Sequence, residues 1–208
     1  MKILYAAAEA LPFASTGGLA DVMGALPKSV YKVLDKKADV RVVMPLYPVV
    51  RAKFSEKLEL VTEINVRLAW RNQYCGIWKI VTEGVTYYFI DNQYYFERDR
   101  LYGCYDDGER FAFFSKAALD MLAMLDFYPD IIHCNDWQTG PLCAYLKEIY
   151  GHMMPYSKIK TLYTIHNLQY QGIFGIPQVQ DVLSIGAAIY AQAAAGFPFD
   201  ALSFAVKG

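Results

Sequence analysis

The sequence predicts an α/β domain: a Rossmann-like parallel sheet with helices on both faces and an inserted β-hairpin or meander. Three observations carry this. Short apolar runs alternate with stretches of helical periodicity, as strands joined by right-handed crossovers do. One β-rich, partly alternating stretch, residues 57–90, interrupts that rhythm. The composition, 55% hydrophobic and 20% charged over 208 residues, supports one sizeable core and excludes a disordered chain or a coiled coil.

Taken in order, Lys2–Ala7 reads as a buried strand and Leu19–Leu34 as an amphipathic helix. Val40–Met44 is a second strand, closed by Pro45 and Pro48. Lys57–Leu68, Tyr74–Val81 and Thr86–Ile90 form the β-rich stretch, with a Glu83-Gly84 turn between the last two. Glu109–Leu125 is a long helix, Ile131–Cys134 a short buried strand, Gly140–Tyr150 a further helix and Lys160–Ile165 a further strand. In such sheets ligands sit beyond the carboxyl ends of the strands. The informative residues therefore lie in Glu9–Asp21, Asn135–Gln138 and His166–Gly172.

Charge and targeting features exclude several classes. Net charge is −1 with Lys and Arg scattered, unlike the basic stripe of a nucleic-acid binder. The apolar start stops at Glu9 and meets Pro12, too short for a signal peptide's core. Val182–Val206 is apolar but interrupted by Gln192, Pro198 and Asp200, short of the ~20 unbroken residues of a bilayer span. The four cysteines show no CxxC or CxxH spacing, which predicts reduced thiols of a cytoplasmic protein, without a metal site or disulfide framework.

Three clusters carry the chemistry. Ser15-Thr16-Gly17-Gly18-Leu19-Ala20-Asp21 joins the first strand to the first helix. Paired glycines let a ligand approach the backbone, and helix-start N–H groups favour an anion, so the segment suits a phosphate or sugar. The alternative is a plain tight turn with a Ser or Thr cap, with Asp21 merely matching the helix dipole. Its spelling is neither GxGxxG nor a P-loop, which removes the dinucleotide oxidoreductase reading. In His133-Cys134-Asn135-Asp136-Trp137-Gln138, the polar pair could hold sugar hydroxyls with Trp137 as a wall. Alternatively, Asp136 caps the next helix and Trp137 is core. The third cluster, His166-Asn167-Leu168-Gln169-Tyr170-Gln171-Gly172, mixes donors and acceptors as sugar recognition requires, against the alternative of a core imidazole at His166.

Together these clusters resemble the bacterial glycogen synthase and plastid starch synthase family, glycosyltransferase family 5. Ser15 to Val22 matches the family's K-T-G-G-L-A-D-V except at its first residue, and Gly24-Ala25-Leu26-Pro27-Lys28 continues the match. Val42 to Tyr47, Asp99 to Gly103, Asp107 to Ser115, Asp130 to Trp137 and Thr164 to Gly172 follow in the family's order. The resemblance implies the amino-terminal, acceptor-side half of a two-domain GT-B enzyme, with the nucleotide-binding carboxy-terminal domain absent. It further implies transfer of glucose from ADP-glucose to the non-reducing end of an α-1,4-glucan (glycogen or a maltooligosaccharide) with retention. No metal and no cofactor is implied, and the location would be cytoplasm or plastid stroma.

Carried over by position, the resemblance implies a catalytic group of His166, Asp21, Glu9 and Asp136 around the transferring glucose. Ser15, Gly17, Gly18 and Asn167 would serve the donor, and Tyr94, Tyr95 and Gln169 the acceptor. Ser15 departs from the family's Lys and replaces a cation with a neutral hydroxyl. The apolar Phe197–Val206 stretch is expected to expose a face for the partner domain. Without that domain, the chain is expected to fold and to lack transfer activity. A non-catalytic α-glucan-binding module is the alternative.

Overall fold

Strand β1 (Lys2–Ala6) lies inside the sheet, with parallel partners on both sides, β2 (Asp39–Pro45) and β6 (Ile131–Asn135). The computed structural model describes residues 1–185 and the backbone of 201–203. Three strands, β3 (Glu59–Leu68), β4 (Arg71–Thr82) and β5 (Val85–Asp91), form an antiparallel meander. β5 pairs in parallel with β2, and β7 (Lys160–Thr164) pairs in parallel with β6. The sheet therefore reads β3-β4-β5-β2-β1-β6-β7. The meander is not an appendage: its last strand is one of the five parallel strands, and its other two extend the same sheet.

The strand order carries the functional consequence. From β1 the chain moves outward to β2 and β5, then returns to β6 on the other side of β1. This makes a topological switch point between β1 and β6, where the loops leaving the two strands diverge and open a crevice. Right-handed crossovers place α1 (Gly18–Val33) and, after the short α2 (Pro48–Phe54) and α3 (Gln93–Phe96), α4 (Asp107–Met124) on opposite faces. Ile3–Ala6, Val42–Pro45 and Ile132–Asn135 are buried, as parallel strands covered on both faces must be.

The Glu83-Gly84 turn behaves as the sequence predicts. Both residues have positive φ, 52° and 80°, the geometry that matches the twist of a two-residue hairpin. A Cβ on Gly84 would fall 2.1 Å from the Tyr31 ring of α1, so this turn also seats the helix. The expected Gly140–Tyr150 helix is a composite: a 3₁₀ turn at Trp137–Thr139, then α5 (Gly140–Tyr145), then a π turn at Leu146–Tyr150.

Beyond β7 come β8 (Ile173–Gly175), paired with β9 (Ala201–Ser203), and α6 (Ile176–Leu183). A clasp holds α6 to the β3–β4 turn. Asp181 accepts from Trp70 Nε1 at 3.0 Å and Arg71 Nη2 at 2.8 Å, and Arg71 also meets Glu109 of α4 at 3.0 Å. All four cysteines are free thiols. Among the described residues no helix is long and apolar enough to cross a membrane. Most of the Phe197–Val206 stretch lies outside the described residues.

Candidate active site

The loops at the switch point line an open cleft of about 1000 Å³. Its lining draws on all three strand-end clusters: Glu9, Thr16, Gly17 and Gly18; Asp136, Trp137 and Gln138; and His166, Asn167 and Gln169. Sequence separations of more than 100 residues close here because β1, β6 and β7 are adjacent and parallel.

On the β1 side, Glu9 is buried. Its carboxylate accepts from the backbone N–H of Thr16 and, at 2.8 Å, from the Thr16 hydroxyl, which also meets the Tyr102 hydroxyl. Burial raises the Glu9 carboxyl above its ordinary value, while the bonds from Thr16 and Tyr102 pull it back down. Beyond Thr16 the chain passes Gly17 and enters α1 with no side-chain cap. A Cβ at Gly17 or Gly18 would meet nothing within 4 Å. The protein's own packing does not require these glycines, and the open space beside them adjoins uncapped helix-start N–H groups, a place suited to an anion.

On the β6 side, Asp136 is the strained residue of the site. Its φ of 59° and ψ of 175° fall in a region open essentially to glycine alone, at a cost of about 1–3 kcal/mol. It does not cap the following helix. Its Oδ1 accepts the backbone N–H of His166 at 2.7 Å, tying the β7 loop to the β6 loop. Trp137 is both things the sequence left open. It is 8% exposed and packs edge-on against Phe111, and it also walls the cavity.

From β7, His166 is exposed rather than a core imidazole, with Nε2 2.9 Å from Asn135 Oδ1. Behind it, His133 is buried against the Thr164 hydroxyl at 2.8 Å, and burial followed by the nearby His166 lowers its affinity for a proton. Gly172, at φ 60°, lays the loop against Trp137, where a Cβ would come within 2.4 Å of the ring.

Not every expected residue reaches the cavity. Asp21 is exposed in the first turn of α1, beside the lining residue Val22 but outside the lining itself, and Ser15 is exposed next to Thr16. Tyr94 is 62% exposed and lies elsewhere. Tyr95 is a correction: it is wholly buried against Phe113, its hydroxyl donating to Glu109 at 2.5 Å, so it has no surface to offer an acceptor.

Thr16, Tyr102 and Gln138 line the cavity although nothing in the sequence assigned them an individual site role. Gln138 is 4% exposed, and its Oε1 has no hydrogen-bond partner among the described residues. The Tyr102 loop is pinned from below by Arg110. This fully buried guanidinium bonds Asp107 at 2.5 Å, the Tyr95 carbonyl at 2.6 Å and the Leu101 carbonyl at 3.1 Å. Cys104, Asp106 and Asp107 bring ligand atoms within 4.8 Å of one another. Both carboxylates already face guanidinium groups, of Arg98 and Arg110, which oppose a divalent cation and make the cluster a fastening for the loop.

Comparison with known proteins shows the family and the fold. The family model described as "Starch synthase catalytic domain" matches residues 2–204. The glycogen synthase of Anoxybacillus flavithermus is 50% identical over 185 residues, covering 89% of this chain and 38% of that protein. That of Clostridium beijerinckii is 52% identical over 180 residues, covering 86% and 37%. The solved catalytic domain of starch synthase IV from Arabidopsis thaliana, bound to ADP and acarbose, aligns with a TM-score of 0.85 at 27% identity, over 99% of this chain and 42% of that one. The chain thus spans well under half the length of the relatives it matches. With its motifs in family order and gathered at one switch point of the expected sheet, this chain belongs to the starch synthase catalytic domain family.

Proposed function

We propose that the chain forms the acceptor-side wall of a retaining glucosyltransferase that moves glucose from ADP-glucose to the non-reducing end of an α-1,4-glucan. The observation that carries this is the shared cavity: open helix-start amides at Gly17 and Gly18 face the same space as Glu9, Asp136 and His166. The amides suit the donor's diphosphate, and the mixed polar groups suit glucose hydroxyls. In the family's front-face route charge develops at the anomeric carbon. Glu9 and Asp136, held by Thr16 and by the His166 amide, are fixed acceptors that would stabilise it without reorganising. No metal or cofactor enters the proposal.

A site of this kind needs both its walls, because orientation alone contributes effective molarities of ~10⁵–10⁸ M. The relatives carry more than half of their length beyond the matched region, and that remainder is the proposed partner of this wall. The test is labelled glucose incorporation into glycogen. It compares the 208-residue chain with a fusion of the chain to the remaining sequence of the Clostridium beijerinckii relative. Transfer by the fusion alone, lost by orders of magnitude in His166→Ala with an unchanged melting temperature, is the expected result. Maltooligosaccharide binding with no transfer by the fusion would favour a non-catalytic glucan-binding module.

A further inference from the structure

Asn135 ends β6 as a fully buried side chain, and its surroundings fix which end of its amide is which. One end lies 3.2 Å from the Ala6 carbonyl and 3.0 Å from the His133 carbonyl. Two carbonyl oxygens accept and never donate, so this end is the NH₂. The other end is therefore the oxygen, and it lies 2.9 Å from Nε2 of His166. An amide oxygen only accepts, so Nε2 must carry the hydrogen. In the neutral ring that leaves Nδ1 as the acceptor.

We infer that Asn135 is a positioning residue: it holds His166 as the Nε2–H tautomer, so that the imidazole offers Nδ1 as an acceptor for a hydroxyl of the bound sugar. The identity of the ligand rests on the glucosyl-transfer reading; the tautomer does not. The direction of the bond matters for specificity. A ring locked this way takes a proton donor, such as a sugar hydroxyl, and a neutral His166 has no second N–H for a phosphate. The loop is fixed separately, since the His166 backbone N–H is held by Asp136. Loss of the Asn135 oxygen therefore releases the ring without releasing the loop. Two other titratable groups face this one, His133 behind the ring and Asp136 at its backbone.

The chain has only three histidines, so ring-nitrogen NMR on histidine-labelled protein resolves each. At neutral pH, the expected spectrum shows His166 as Nε2–H, with that proton slow to exchange and close to the Asn135 side chain. Asn135→Leu, similar in size and apolar, should abolish the protection while leaving the His133 signals in place, and should weaken maltotriose binding about tenfold. A wild-type His166 that is Nδ1–H, or an unprotected mixture of tautomers, overturns the inference. So does a protected Nε2–H that persists in Asn135→Leu. If the Leu variant does not fold, the wild-type spectrum decides alone. A protected Nε2–H whose Nδ1 is unmoved by maltotriose and by ADP-glucose upholds the tautomer and overturns the sugar assignment, while the transfer assay on the fusion decides the glucosyl reading separately.

Discussion

Asp136 holds the backbone amide of His166 at 2.7 Å while its own backbone sits at φ 59°, ψ 175°. The strain and the tether are separable. Asp136→Ala loses the carboxylate and keeps a Cβ in a region that disfavours it. Asp136→Gly loses the same carboxylate but removes the strain. Urea denaturation should therefore find the Gly variant more stable than the Ala variant by about 1–3 kcal/mol, with ligand binding impaired in both. Equal stability of the two would mean that the conformation is not strained.

Glu9 gives a pH-dependent prediction whose sign follows from its burial. Its carboxyl is raised above the ordinary 4.5, so the folded chain holds that proton more tightly than the unfolded one. The ionised form then costs stability, in a window that opens as pH rises through the unfolded value and is complete above the folded one. Glu9→Gln keeps an acceptor for Thr16 and removes the charge. Its melting temperature should equal or exceed that of the wild type at pH 7, and the difference should shrink toward pH 4. A Gln variant that is less stable at pH 7 and gains on the wild type as pH falls would reverse the sign and refute the argument.

Periodic features were legible in the sequence, and long-range ones were not. The expected Leu19–Leu34 helix became Gly18–Val33, and Glu109–Leu125 became Asp107–Met124, because local periodicity sets both. The Glu83-Gly84 turn followed from its glycine, the residue type that adopts such φ values most readily. That β5 joins β2 in parallel depends on a pairing across 45 residues, to which no local pattern is sensitive. The site shows the same division. Strand-end position pointed to Glu9, Asp136 and His166, whereas Tyr102 reaches Thr16 from a loop without period. Of the consecutive rings Tyr94 and Tyr95, α3 (Gln93–Phe96) buries one and exposes the other, and adjacent identical residues give no clue which.

Ser15 stands where the family has Lys, exposed beside the cavity-lining Thr16. If the helix-start amides receive a diphosphate, a lysine at position 15 adds a charge-assisted hydrogen bond. Ser15→Lys should tighten ADP-glucose binding, measured by calorimetry, by about 1–3 kcal/mol. It should leave maltotriose binding unchanged, since that ligand carries no phosphate. Equal affinity of the two proteins for ADP-glucose would show that the donor phosphates lie out of reach of this position.

Gly172 is where loop and wall meet, and Gly172→Ala tests whether that contact shapes the site. At φ 60° an L side chain already costs roughly 1–2 kcal/mol. The added methyl would lie 2.4 Å from Trp137 Cε3 and 2.6 Å from Cδ2, well inside contact distance. The indole has little room to retreat, because Phe111 packs edge-on against it at 5.2 Å and Phe174 lies 5.8 Å away. The loop must therefore lift, carrying Asn167 and Gln169 with it, while the sheet beneath keeps its pairing. The expected outcome is a loss of about 1–3 kcal/mol in global stability. Trp137 emission should shift, and affinity for maltotriose should fall at least tenfold. Trp70→Phe and Trp78→Phe backgrounds isolate the Trp137 signal, since the chain has three tryptophans. Unchanged emission and affinity in Gly172→Ala would mean that the His166–Gly172 loop does not take its shape from Trp137.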